Sequence, residues 1–256
     1  MRLWIDTDVG TDPDDAVALV CATRHPDVDL VGVSTAHGDT DRRAEIARAL
    51  VDAPVVPGAR LAVRDVAAAR VDALLAIGPL DNVARLLAAD ALPPRVCVMG
   101  GVIKPVHHRG AVREVEHNFG SEPAAARAVI EHAPGLVLCP LDVTVRMRPS
   151  AADLHAIVDA APALGPMLDN WRARQRAAGV TDEDAMVRLH DPLALLALVG
   201  EPVVAIEPRP LTVDEEGRVH EDRGHGRVVD VVVDVDAMRA MERIVELVAQ
   251  SNRRDQ

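Results

Sequence analysis

The stretch LWIDTDVGTDPDDAVAL, residues 3–19, sets five aspartates, Asp6, Asp8, Asp12, Asp14 and Asp15, between two apolar runs. Leu3, Trp4 and Ile5 have the short apolar character of a buried strand. Gly10 and Pro13 then break the chain, and Asp14-Asp15 open an almost wholly apolar helix. The aspartates therefore fall on a strand-to-helix turn, which in an open α/β sheet lies at the carboxyl end of the strand, where ligands bind. One acidic residue at a helix start is explained by capping or by the positive helix end, a contribution of ~0.5–2 kcal/mol. That explanation does not stretch to five. Crowded carboxylates repel, and one takes up a proton unless a cation screens them. Oxygen-only ligands suit a hard divalent ion, Ca²⁺ or Mg²⁺.

Working outward, strand, loop and helix alternate. A strand over residues 29–35 runs into His37-Gly38-Asp39, followed by a helix over 43–50 and a short strand at Val55-Val56. Strand 73–77 turns at Gly78-Pro79 into helix 80–89, and strand 95–99 stops at Gly100-Gly101. Residues 102–119 keep no period and read as one long loop, a feature more often functional than accidental. A helix over 123–132, a strand over 136–139, the segment Leu141-Asp142-Val143-Thr144 and a largely helical 151–178 follow. Then come His190-Asp191-Pro192 before helix 193–199, a hairpin-like region around Gly217, strand 228–233 and helix 238–250. This alternation predicts an α/β fold, a mostly parallel central sheet with helices on both faces. One domain over 1–250 and a frayed tail over 251–256 are expected.

The chain of 256 residues has a formal net charge of −12, which argues against a nucleic-acid backbone or an anionic membrane as partner. Trp4, Trp171 and Phe119 are its only aromatics of the Trp, Tyr and Phe class, too few for a base-stacking surface. Cys21, Cys97 and Cys139 sit in apolar runs without metal-ligand spacing and read as reduced core residues of a cytoplasmic protein. No secretion signal and no apolar run of the roughly 18–20 residues of a membrane span is apparent.

Each strand ends in something polar or glycine-rich, and the ends of parallel strands share one edge. Glu116, Asn118, Asp142, His190 and Asp191 are the later candidates for that edge. Together with the opening aspartates they make an acidic pocket with one or two histidines.

DTDVGTDPDDAVAL, HGDT at His37, IGPLDN at Ile77, MGG at Met99, EHN at Glu116, LDVT at Leu141 and HDP at His190 together resemble, in order, the inosine-uridine-preferring nucleoside hydrolase family. The resemblance covers roughly residues 3–200. It implies the family's α/β fold, one Ca²⁺ at the floor of the pocket, and hydrolysis of the N-glycosidic bond of a ribonucleoside to free base and ribose. Carried over by position, Asp8, Asp15, Asp191 and the backbone carbonyl of Ile77 hold the ion. Asp8 takes the proton of the attacking water, and His190 meets the leaving base with the near-neutral pKa of an ordinary histidine. Asp14, Asp39, Met99, Glu116 and Asn118 are the substrate contacts, with Glu116 and Asn118 at the 5′ end of the sugar. The family also implies a homodimer or homotetramer.

Three departures stand out. Asp12-Pro13 adds two residues before the Asp14-Asp15 pair, Asp39 stands where many members carry Asn, and residues 58–72 are a short Ala/Arg/Val-rich segment in place of a longer insertion over the pocket. Two other readings compete: a non-catalytic Ca²⁺- or sugar-binding homologue, and a haloacid-dehalogenase-like phosphatase using Asp6-Thr7-Asp8. The second lacks its lysine at the expected place and leaves Glu116 and His190-Asp191 unexplained.

Overall fold

A computed structural model describes residues 1–180 and 186–250. The opening run forms strand β1 (Arg2–Thr7) and helix α1 (Asp14–Arg24). Strand β2 (Asp29–Thr35), helix α2 (Thr40–Arg48), strand β3 (Val55–Pro57) and helix α3 (Val63–Ala68) follow. The next units are β4 (Ala73–Ala76) with α4 (Asp81–Ala88), and β5 (Arg95–Met99). The segment expected to be one loop holds a small antiparallel hairpin, β6 (Val106–His108) and β7 (Ala111–Arg113), and a short helix α5 (His117–Ser121). Helix α6 (Pro123–His132), strand β8 (Leu136–Cys139) and the single turn α7 (Leu141–Thr144) come next. Pro162 and Pro166 divide the following helical region into α8 (Ala151–Ala160) and α9 (Gly165–Ala177). Helix α10 (His190–Val199) takes in His190-Asp191, which the sequence reading left ahead of it. The end is β9 (Val204–Val213), β10 (Val219–Glu221), β11 (Arg227–Val235) and α11 (Ala237–Ala249). The expected tail lies outside the described residues.

Among the described residues the central sheet has nine strands in the order β10-β9-β11-β8-β5-β4-β1-β2-β3. From β3 to β11 every neighbouring pair is parallel, and β9 joins β11 and β10 antiparallel. The expected mostly parallel α/β sheet is therefore present, with an antiparallel edge after the last crossover.

Two apolar layers flank the sheet. Leu3 and Ile5 of β1 pack in the layer holding α1, α10 and α11, whereas Trp4 packs in the opposite layer with α4 and α6. Strand periodicity alone produces this split, since successive side chains point to opposite faces. Helix α3, formed by the short Ala/Arg/Val segment, buries Val66 in the layer with Trp4 and Leu74.

Candidate active site

Alternation puts Asp6 on the Trp4 face of β1, whereas Asp8 lies past Thr7, the last residue of the strand, where the chain leaves the sheet toward α1. Asp6 is buried and accepts hydrogen bonds from Ser34 Oγ and, at 2.8 Å, from Asn82 Nδ2. Burial pushes its carboxyl up to about 7, against the pull of those bonds. Since Asp6 faces Ser34 and Asn82, it does not share the pocket of Asp8, and the pairing a dehalogenase-like phosphatase needs is absent.

On the other side, Asp14 and Asp15 lie in the first turn of α1 and Asp191 in the first turn of α10. The helices pack against each other, bringing two positive helix ends to one place, where carboxylates are favoured. Oxygens of Asp14, Asp15 and Asp191 all lie within 4.8 Å of one another, and all three residues are buried. Desolvation, and then the charges of the neighbouring aspartates, drive the carboxyls of Asp15 and Asp191 well above the usual range. Asp14 is pushed up to about 7, by burial first and by Asp12 second. Among the described residues Asp15 has one hydrogen-bond partner, Thr7 Oγ1, which donates to Oδ1 at 2.5 Å. Buried anions without cationic partners are costly. An all-oxygen donor set of this kind fits a hard divalent cation.

Asp8 lines the same cavity but stands outside the group of three. Its carboxylate has Arg43 Nη2 3.7 Å from Oδ2, and burial raises its pKa while Arg43 draws it back. Arg43 also holds the backbone around it: Nη1 donates to the carbonyls of Asp8 and, at 3.0 Å, Val9, and Nε donates to His37 O at 2.8 Å. One guanidinium thus ties the turn after β1 to the turn after β2. The close fit continues at Gly78, where an added Cβ would stand 2.9 Å from the Asp8 nitrogen.

The remaining wall comes from other strand ends. Ile77, Met99, Glu116, Asn118 and His190 line the cavity, which offers water about 190 Å³. Glu116 caps α5: it accepts from the backbone N–H of Asn118 (2.8 Å), Phe119 (3.2 Å) and Gly101 (3.1 Å), and burial raises its carboxyl to about 7. Asn118 Nδ2 donates to Met99 O at 3.0 Å, fixing both residues. His190 Nδ1 sits 2.8 Å from Thr144 Oγ1, and its ring meets that of His108 edge-on at 5.4 Å. Desolvation, followed by His108, Arg109 and Arg188, lowers the His190 pKa well below that of an ordinary histidine, so the near-neutral value expected from sequence gives way to a neutral imidazole.

Of the sequence-derived candidates, Asp39 is not brought to the cavity. It is exposed, and its carboxylate accepts from Arg42 N at 3.0 Å as the cap of α2. Asp142 turns elsewhere as well, accepting from Ile103 N at 2.9 Å beside a separate surface cleft. Asp12, whose role was open, accepts from Trp171 Nε1 at 3.0 Å and from Arg109. His108 and Arg109, at the hairpin turn, line the cavity. Sequence reading places His108 only as one of several loop histidines at the pocket edge, with His37, His107 and His117, and misses Arg109, Arg43 and Thr144. The only local signal was the Arg109-Gly110 turn, where both residues adopt positive φ.

Fold and site together define an α/β protein with a hard-cation pocket at the carboxyl edge of a parallel sheet. The family model for inosine-uridine preferring nucleoside hydrolase matches residues 59–242, and the chain belongs to that family of N-glycosyl hydrolases. A non-specific ribonucleoside hydrolase from Shigella dysenteriae is 26% identical across 98% of this chain and 94% of the relative. That alignment spans 302 positions against the 256 residues here, so this chain lacks segments the relative has. Two solved structures share the fold. A purine-preferring ribonucleoside hydrolase from Gardnerella vaginalis superposes with a TM-score of 0.74 at 20% identity, covering 97% of this chain and 99% of that one. An inosine-uridine preferring nucleoside hydrolase from Bacillus anthracis gives 0.70 at 18% identity, covering 98% and 99%.

Proposed function

We propose that this protein hydrolyses the N-glycosidic bond of a ribonucleoside to free base and ribose, with Ca²⁺ as its cofactor. The observation that carries this reading is the buried group Asp14, Asp15 and Asp191, drawn from both ends of the chain and set beside Asp8 in one cavity. Asp15 and Asp191, with Asp8 and the carbonyl of Ile77, hold the ion. Asp14 lies close enough to add an oxygen or to take a sugar hydroxyl. When bound, Ca²⁺ supplies Lewis acidity and a seat for vicinal ribose hydroxyls within a shell of about 6–8 oxygens.

The chain's own groups do the rest. Asp8, kept in place by Arg43, accepts a proton from the attacking water as its oxygen bonds to the anomeric carbon and the C–N bond breaks. Positive charge developing on the sugar ring is stabilised by the surrounding carboxylates. Met99 packs on the sugar face, and Glu116 and Asn118 receive its 5′ end. His190, oriented by Thr144 and neutral by burial, gives the leaving base a hydrogen bond, while the base takes its proton from water at the mouth. Incubating Ca²⁺-loaded protein with a panel of ribonucleosides and assaying free base and ribose tests the reading. Release that EDTA abolishes is expected, and its absence across the panel would leave the non-catalytic alternative.

A further inference from the structure

Beside the reaction pocket lies a second cavity of about 470 Å³, walled by His108, Arg109, Arg113, Glu116, His117 and Ser121 among others. It shares His108, Arg109, Glu116 and His117 with the reaction pocket, so the two are contiguous. Its charge balance differs from that of the floor. Arg113 is exposed and has no ion pair among the described residues, its Nε reaching only the carbonyl of His108 at 3.4 Å. Arg109 uses one nitrogen on Asp12, and no other bond to its fork appears among the described residues. Glu116 is the one carboxylate in the wall among the described residues, and three backbone N–H groups already donate to it. Two guanidinium groups thus keep free donors in one recess, which sets it apart from the carboxylate-lined floor next to it. Desolvation, followed by Arg109, Arg188 and Arg113, holds His108 down to about 4.

We propose that this recess receives a phosphate monoester on the 5′ carbon of the sugar, so that the enzyme binds and cleaves ribonucleoside 5′-monophosphates. The inference rests on the reading above, which gives the 5′ end to Glu116 and Asn118, of which Glu116 lines both the reaction pocket and the recess. Guanidinium forks match the oxygens of a phosphate two at a time. The reaction is the same hydrolysis: water oxygen bonds to the anomeric carbon, the C–N electron pair leaves with the base, and the products are base and ribose 5-phosphate. The phosphate ester stays intact.

Two measurements test it. In the first, kcat/KM is compared for a ribonucleoside and its 5′-monophosphate. The monophosphate is expected to be cleaved at least as well, and Arg113→Gln is expected to lower the monophosphate-to-nucleoside ratio about tenfold or more. A monophosphate cleaved tenfold more slowly than the nucleoside, or an unchanged ratio in the variant, overturns the proposal. The second needs no turnover: calorimetric binding of ribose 5-phosphate, ribose and inorganic phosphate to the Ca²⁺-loaded protein. Ribose 5-phosphate should bind at least tenfold more tightly than ribose, with the advantage lost in Arg113→Gln. Equal affinity for the two sugars, or inorganic phosphate binding as tightly as ribose 5-phosphate, contradicts it. If ribose 5-phosphate is preferred while no nucleoside is cleaved, the hydrolase reading fails and the phosphate recess stands.

Discussion

Asp6 and Asp8 sit two residues apart at the same strand end and have opposite surroundings. Asp6 is a lone buried carboxyl met by neutral donors, the Ser34 hydroxyl and the Asn82 amide. Asp8 opens onto a cavity that also holds Asp14, Asp15 and Asp191, where the nearest groups to each carboxylate include other carboxylates. In the first, both donors meet Oδ1, while the buried Oδ2 has no hydrogen-bond partner among the described residues and can carry the proton of a carboxyl pushed up to about 7. The second is not complete without a cation. The lesson is that burial of an acid says little by itself, and the chemistry of what faces it decides whether it is structural or functional.

The sharpest way to break this comparison is Asp191→Asn. Ca²⁺ at about a hundred times its Kd should stabilise the native protein by ~2.7 kcal/mol. That amounts to a Tm rise of roughly 5–10 °C for a chain of this size. Thermal unfolding with and without Ca²⁺ should find the rise lost in Asp191→Asn, with hydrolysis reduced more than about a hundredfold. The metal-free variant should be no less stable than metal-free wild type, because one of three repelling carboxylates is gone. Asp6→Asn, by contrast, should keep the Ca²⁺-induced rise and change stability by no more than about 1 kcal/mol, since the amide still offers an acceptor.

Asp8→Ala should lower kcat by ~10²–10⁴ and weaken the Ca²⁺ response. Arg43→Met leaves the carboxylate but removes its clamp, and kcat is expected to fall by ~10–100-fold, the scale of a small misplacement of a reacting group. Steady-state kinetics at saturating Ca²⁺ separates the two. A 2′-deoxynucleoside, lacking one of the vicinal hydroxyls, should be hydrolysed about tenfold or more slowly than its ribo counterpart.

The smallest effect concerns an acid far from both sites. Glu201 accepts from Arg243 Nε at 2.8 Å and pairs with His25 Nε2 at 3.2 Å. Burial raises its pKa, but the hydrogen bonds outweigh this and hold the group below its ordinary 4.5. A depressed carboxylate contributes stability above its unfolded pKa and loses it as pH falls through the folded value. Glu201→Gln should therefore cost ~0.5–1 kcal/mol at pH 7, with the gap to wild type closing as unfolding is followed below pH 4.5.

The parallel strands were legible because each is a short apolar run stopped by glycine, proline or a polar group. The strand limits of β2, β5 and β8 agree with the sequence reading to the residue. Strand β9 was hidden by Pro208 and Pro210, which lack the N–H a strand normally offers and are accommodated in its antiparallel pairing with β11. Strands β6 and β7 have three residues each, too few for a two-residue period to be recognised in a charged loop. At the site, Asp14, Asp15 and Asp191 were legible through crowding and motif. Asp39 was not, because an aspartate before a helix reads equally as ligand or cap, and here it is the cap. Arg43, Arg109 and Thr144 act through contacts across 32 to 97 sequence positions, and no local pattern announces that.

The most direct test is a calorimetric titration of Ca²⁺ into EDTA-stripped protein, carried out on wild type, Asp6→Asn and Asp191→Asn. A single saturable site in wild type and Asp6→Asn, absent in Asp191→Asn, is the expected result. No binding to wild type, or equal binding in all three, would contradict a shared cation among the buried carboxylates.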